Sequence, residues 1–402
     1  MNILVINCGS SSVKYQFFDM NQEKAIAKGL VARIGMTGAV LTHKPFDRDE
    51  VKVTGEILDH IVAVQYVISI LLSENHGVIK DKSEIHAVGH RVVHGGEEFT
   101  ESALIDDDVL SKIRSLIDLA PLHNPHNLSG IKACITNLPD VPQVAVFDTA
   151  FHHQMPPKAY IYGLPYVMYK KYSIRRYGFH GPSHFYVSQK CAKLQNKNYS
   201  ELKTITAHLG NGASITAVDK GISVDTSMGF TPLEGLLMGT RSGDLDPAVI
   251  LHIMGREELT LHEANTLLNK HSGLSGISGV SSDMREIVES SNSGHVNAKL
   301  ALDIYCYRVK KYIGAYSAAM GGLDSLVFTG GIGENSAIVR EMICQNFDYL
   351  GLKLDNEINN NTKGVDTDIS AKDSKVKVFV IPTNEELVIA RDTVKIIEDK
   401  NK

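Results

Sequence analysis

Cysteine is sparse in this 402-residue chain, and the five that occur, Cys8, Cys134, Cys191, Cys306 and Cys344, are scattered with no CxxC spacing. An odd, dispersed set argues against a disulfide framework and points to reduced thiols in a cytoplasm. A surplus of one charge is missing too. The 41 basic and 46 acidic residues leave a net charge of −5, so no general basic surface argues for nucleic acid. Long apolar runs are absent: the longest apolar-looking helix, around Ile61 to Leu72, is too short and too interrupted to span a membrane. Met1 leads directly into a strand-like run and the first basic residue is Lys14, so no signal peptide is expected. The histidines of Pro121 to Asn127 invite a zinc reading, but no HExxH helix or cysteine-pair array accompanies them. A zinc hydrolase therefore ranks last among the readings.

What is present fits an ordinary globular enzyme, 43% hydrophobic and 22% charged. Its length favours two domains over one core. One supersecondary unit occurs twice. Asn2 to Asp19 reads as apolar strand, Gly/Ser turn and alternating strand, and Thr204 to Val218 has the same plan around Gly210-Asn211-Gly212. Backbone N–H groups of such turns suit phosphate oxygens, with glycine tolerating positive φ and close approach. Ser10, Ser12 and Lys14 add donors to the first turn. Two such turns, in two similar domains facing each other, imply a nucleotide held in a cleft. After the second hairpin, Met238 to Gly243 sets Arg241 among small residues, where its fork can reach a carboxylate or phosphate.

Other segments carry chemistry as well as structure. Ala87 to Gly96 reads as a buried strand ending in a glycine turn, and Arg91 within it needs an anion, since an unpaired buried charge is costly. The strand Gln143 to Phe147 ends at Asp148, where α/β folds place functional groups. Arg175 to His184 packs cations, aromatics and a helix start, with His180 just ahead of a helix to about Leu194. The strand Ser325 to Thr329 runs into Gly330-Gly331-Ile332-Gly333-Glu334-Asn335, a glycine turn suited to a base or ribose; it lacks GxGxxG spacing, which counts against a dehydrogenase. Pro121 to Asn127 is expected as a proline-broken loop before a helix from about Leu128, His295 to Met320 as a long packing helix, and Asn356 to Lys363 as an exposed loop.

Taken together, NCGSSSVKY (Asn7 to Tyr15), GHRVVHGG (Gly89 to Gly96), FDTAFH (Phe147 to His152), YGFHGPSH (Tyr177 to His184), HLGNGAS (His208 to Ser214), DTSMGFTPLEGLLMGTRSGDLDP (Asp225 to Pro247), FTGGIGENS (Phe328 to Ser336) and PTNEEL (Pro382 to Leu387) resemble the acetate kinase family nearly end to end. That family belongs to the superfamily of acetate and sugar kinases, heat-shock chaperones and actin. The resemblance implies an α/β fold of two actin-like, ribonuclease H-like domains, with mixed sheets flanked by helices and an interdomain active-site cleft. Residues 1–150 would form the N-terminal domain, completed by a C-terminal helix over 385–402, and 151–384 the second domain with the nucleotide site and a dimer interface.

The implied activity is reversible phosphoryl transfer from ATP to acetate, giving acetyl phosphate and ADP, with magnesium, or manganese in its place. A carboxylate with pKa near 4 is ionised at neutral pH, so the nucleophile needs no general base, only positive charge to approach a polyanion. By the resemblance, Arg91 holds the substrate carboxylate, while Arg241 and His180 stabilise the phosphoryl in transit. Asp148 carries a family label of acid/base; positioning or a magnesium role fits better, because no proton has to move. Asn7 and Glu385 would hold magnesium. Lys14, the turn of His208, Leu209, Gly210, Asn211 and Gly212, the trio Asp283, Met284 and Arg285, and the loop Gly331, Ile332, Gly333, Glu334 and Asn335 would hold the nucleotide. Val93, Leu122, Phe179 and Pro232 would line the pocket for the acid, favouring acetate over propionate; a propionate or other short-chain carboxylate kinase is the alternative. A soluble cytoplasmic homodimer is implied. The competing class, a nucleotide-gated actin- or chaperone-like clamp, would lack a second-substrate arginine pair, and both Arg91 and Arg241 are present.

Overall fold

The computed structural model describes residues 1–400, so the last two positions of the expected C-terminal helix lie outside the described residues. The chain forms two compact units, one of Met1–Ala150 with Asn384–Lys402 and the other of Phe151–Thr383. Each is built on one mixed sheet flanked by helices. No helix among the described residues is long and apolar enough to cross a membrane.

The first unit contains an eight-stranded sheet. Its strands are β1 (Asn2–Cys8), β2 (Ser12–Asp19), β3 (Lys24–Ala32), β4 (Ala39–Pro45), β5 (Val51–Gly55), β6 (Ala87–Val92), β7 (Ala103–Leu104) and β8 (Gln143–Phe147). In space they run β5-β4-β3-β2-β1-β6-β8-β7. The meander β1 to β5 is antiparallel, because short turns join its strands; β1, β6 and β8 are parallel, because helices intervene. Strand alternation sorts the two faces. Leu4, Ile6 and Cys8 join a core with Val64 and Val67 of helix His60–Leu71 and Cys134 of helix Asn124–Asn137. Helix Glu385–Lys400 packs on β6, where Gly89 admits it: a Cβ there would come within 2.7 Å of Ile389.

Helix Asn124–Asn137 starts earlier than the sequence suggests. Pro125 falls in its first turn, where a missing N–H costs nothing, rather than breaking a loop. Asn124 and Asn127 are consequently buried and used as ties. Asn127 accepts from Val93 N at 3.0 Å and donates to Cys8 O at 3.1 Å, joining the ends of β6 and β1. Asn124 brackets His94 in the same way.

In the second unit, β9 (Lys203–Leu209), β10 (Ala213–Asp219), β11 (Ile222–Thr226), β12 (Ser325–Thr329), β13 (Thr367–Asp368) and β14 (Lys377–Val380) make a six-stranded sheet ordered β11-β10-β9-β12-β14-β13. Helices Gly181–Leu194 and Val296–Met320 pack against it. Asn356 to Lys363, expected as an exposed loop, instead contains helix Asn356–Asn361. Asp355 caps it by accepting from Ile358 N at 3.0 Å, and its Asn359 is buried. The reason lies elsewhere in the chain. Arg340 is fully buried and among the described residues pairs with no carboxylate; it donates to Asn359 Oδ1 and O, to Thr362 O and to Gly333 O at 2.8–3.0 Å. Burial pushes its pKa down to about 10, so it stays charged at neutral pH. Arg340→Met would strand these acceptors, and we expect a loss of about 3 kcal/mol or more, read as a lower urea midpoint. A shift worth under about 1 kcal/mol would show that water replaces the guanidinium.

Candidate functional site

The predicted residues fall into two constellations, one per unit. In the first, Arg91 leaves β6 and meets Asp148 just past β8. Its Nε and Nη2 donate to the two carboxylate oxygens at 2.8 and 2.6 Å, a bidentate pair. Asp148 is 1% exposed and Arg91 is 21% exposed, so the carboxylate is sealed while the guanidinium keeps an accessible edge. Burial opposes the charge on Arg91, but Asp148, with Glu385 and Glu386, more than restores it and raises its pKa. The anion that the sequence demands for Arg91 is thus supplied by the protein, and Arg91 also lines a cavity.

A cavity of about 250 Å³ collects Asn7, Lys14, Arg91 and Glu385, together with Glu386. Val93 and Leu122 do not line it; Val93 is half-buried and tied to Asn127, and Leu122 is exposed. Glu385 Oε1 is buried without a hydrogen-bond partner. Burial raises the pKa of Glu385, Arg91 and Lys14 draw it back, and Asp148 pushes it up again. An orphaned carboxylate oxygen with an amide side chain at the same cavity suits magnesium, which takes one or two carboxylates plus water and phosphate oxygens. Among the described residues no three His, Cys, Asp or Glu side chains gather as a full cage. Cys8, beside the first turn, is a buried filler whose thiol pKa is raised to about 12.

The second constellation surrounds Gly210-Asn211-Gly212, the turn between β9 and β10. Neither glycine has positive φ, contrary to the expectation from the turn; they are there for room. A Cβ on Gly212 would lie 3.6 Å from Arg241 Nη1 and 3.7 Å from His180 Nε2, so the bare turn, the guanidinium and the imidazole share one small volume. Arg241 donates to Pro232 O at 3.1 Å, and among the described residues no carboxylate pairs with it. Burial lowers its pKa accordingly. Its loop is closed by Asp244, which accepts from Gly235 N at 2.8 Å and from Tyr312 OH at 2.6 Å, and whose carbonyl takes Arg308 at 2.9 Å. Tyr312 and Arg308 belong to helix Val296–Met320.

His180 precedes helix Gly181–Leu194 with φ +56°, a left-handed conformation uncommon for such a side chain. Its Nδ1 meets Ser214 Oγ at 2.8 Å, and the same hydroxyl meets His184 Nε2 at 2.7 Å. His184 continues to Thr206 Oγ1 at 2.7 Å and is fully buried, with a pKa well below the usual value because of desolvation. His208 stacks on His180 with ring centroids 4.3 Å apart. Sequence reasoning assigned roles to His180 and His208 but missed Ser214 and His184, which are recognisable only once β9 and β10 pair.

The remaining nucleotide candidates lie in this unit. Asp283 caps helix Met284–Asn292 and forms an exposed ion pair with Arg285 at 2.5 Å, whereas Met284 and Leu209 are buried. Gly331 to Asn335 form the helix after β12. Glu334 turns inward to accept from Gly330 N at 2.9 Å, and a Cβ on Gly331 would meet nothing within 4 Å, a bare backbone face. Phe179 is buried and Pro232 half-buried.

Comparison with known proteins bears on these constellations. A family model described as the Acetokinase family matches residues 2–391. The acetate kinase of Halothermothrix orenii is 58% identical over 398 residues, covering 99% of this chain and 100% of that protein. The crystal structure of Porphyromonas gingivalis acetate kinase superposes with a TM-score of 0.95 at 47% identity, covering 98% of this chain and 99% of that one. A propionate kinase from Francisella tularensis gives 0.92 at 43% identity, covering 98% and 99%.

The orphaned Glu385 oxygen has a measurable consequence without turnover. A carboxyl whose folded pKa is raised costs stability as pH rises through that value and costs nothing well below its unfolded pKa. In metal-free protein, Glu385→Gln should therefore raise the melting temperature at neutral pH, and the gain should vanish on acidification toward about pH 4. A gain independent of pH would point to packing instead.

Proposed function

The chain belongs to the acetokinase family, and from that premise we propose that it catalyses reversible, magnesium-dependent transfer of the γ-phosphoryl group of ATP to acetate, giving acetyl phosphate and ADP. The observation that carries the reading is the contrast between two half-buried arginines. Arg91 is locked by Asp148, while Arg241 has no carboxylate partner among the described residues and sits beside a bare glycine turn. One guanidinium thus suits a monoanionic acid, and the other suits a phosphoryl group whose charge peaks in transit.

In this mechanism acetate arrives ionised, and Arg91 orients its oxygen for direct in-line attack. Lys14 and the amides of Gly210 to Gly212 hold phosphate oxygens; Arg241 and His180 meet the charge that spreads over the equatorial oxygens. Ser214 and His184 fix the His180 ring, so that Nε2 is the nitrogen presented to the phosphoryl. Asp148 keeps Arg91 charged and aimed, with both carboxylate oxygens already committed. Magnesium, when bound, supplies charge neutralisation on the polyphosphate, and Glu385 with Asn7 are the residues to hold it. Asp283 to Arg285 and Gly331 to Asn335 would take the adenosine.

Val93, Leu122, Phe179 and Pro232 are assigned to the acid's methyl group, with propionate a slower substrate, since one methylene is worth about 1–3 kcal/mol. A homodimer is supported by Val296, Leu300 and Tyr307, exposed apolar residues spaced along helix Val296–Met320. The five buried free cysteines accord with a reducing cytoplasm.

A coupled assay with ATP and a panel of short acids tests the activity. Arg241→Ala should cut turnover by about 10²-fold or more with nucleotide affinity near normal; parallel loss of ATP binding would assign the arginine to nucleotide capture. Val93→Ala should narrow the acetate-to-propionate ratio of kcat/KM, and an unchanged ratio would remove Val93 from the pocket.

A further inference from the structure

The cavity that holds Arg91 and Glu385 extends beyond them. It runs along the open sheet face over β2, β3 and β4, where Gln16, Lys28, Leu30, Thr42 and Lys44 line it. Period-two alternation puts Lys14 and Gln16, Lys28 and Leu30, and Thr42 and Lys44 on one side of their strands. Register then sets Lys28 directly opposite Lys44, with Gln16 opposite Lys28 on the other flank.

Like charges directly opposed across an antiparallel pair repel. Among the described residues no ion pair reaches either ammonium. Glu50, the acid at this rim, leans to Lys52 at 4.0 Å, and Lys28 rests over the Phe46 ring at 5.7 Å. A concave wall concentrates such a field instead of letting solvent dissipate it. Lys28 on β3 and Arg91 on β6 are three strand spacings apart, about 14 Å. An anion small enough to sit between the two lysines is therefore a different one from the acid at Arg91.

We propose that Lys28 and Lys44, with Thr42 and Gln16 as neutral donors, form a second anion site for a compact oxyanion bearing two negative charges, either inorganic phosphate or the phosphate end of an acyl phosphate. Its occupant adds negative charge to the cavity that ends at Arg91 and so weakens capture of the carboxylate there, raising the apparent KM for acetate. That coupling rests on Arg91 being the acid's site; the lysine site itself does not.

The experiment titrates the full chain with inorganic phosphate, followed by phosphorus NMR and calorimetry at constant ionic strength. The K28Q/K44Q protein should bind phosphate about tenfold more weakly or worse, K28R/K44R should keep the affinity, and both should retain wild-type kcat with ATP and acetate in phosphate-free buffer. Unchanged phosphate affinity in K28Q/K44Q overturns the site. A parallel titration with acetyl phosphate, without ADP, separates the sources: the anion whose affinity falls with the two lysines is the occupant. Phosphate should raise the acetate KM in the wild type and not in K28Q/K44Q. If phosphate binds at the lysines while the KM stays fixed, the coupling is wrong; Arg91→Ala that leaves the acetate KM unchanged would instead overturn the assignment of Arg91.

Discussion

The bidentate pair between Arg91 and Asp148 is the interaction on which the first unit's chemistry depends. A guanidinium inside a parallel strand is untenable without a counterion, and a carboxylate that is 1% exposed is equally untenable alone. Neighbouring parallel strands solve both problems at once, because β6 and β8 end side by side and bring the two groups to the same level. The cost of burying the pair is offset by two short charge-assisted bonds. What remains is a cation that is fixed in direction, still partly open, and close to a carboxylate, Glu385, that has been left short of a partner.

The second unit answers the same electrostatic problem differently. Arg241 is half-buried among neutral groups, with the Pro232 carbonyl and the Met238 thioether as its partners. Among the described residues no carboxylate pairs with it, and the surrounding loop is held by Asp244, Tyr312 and Arg308. A neutral imidazole reinforces the arrangement. His184, desolvated and uncharged, shares the Ser214 hydroxyl with His180, so orientation passes to His180 without adding a competing cation.

How much of this was legible in the sequence depends on range. The strands around Asn7 to Tyr15 and His208 to Val218, and the arginines, stood out because hairpin alternation and a charge in an apolar run are local signals. The family resemblance supplied roles that no local signal carries. Helix Asn356–Asn361 was missed because its polar sequence looks like a loop until Arg340, sixteen residues upstream of its start, is seen to bury Asn359. The start at Asn124 was missed because prolines read as breaking a loop, whereas Pro125 lies in the helix's first turn and Asn124 and Asn127 tie the ends of β6 and β1. Gly210 and Gly212 stand out as a turn with room for close approach, which holds, while the positive φ also expected of them is absent.

The geometry also bears on what Asp148 does. A general base must have a free lone pair within reach of the proton it takes. Both oxygens of Asp148 accept from Arg91, the residue is sealed from solvent, and a short carboxylic acid is already ionised at neutral pH. Proton abstraction would therefore require breaking a bidentate pair to obtain a proton that is not there. Holding Arg91 in one orientation needs no such sacrifice, and it explains why the carboxylate lies behind the guanidinium, away from the cavity where Lys14, Asn7 and Glu385 converge.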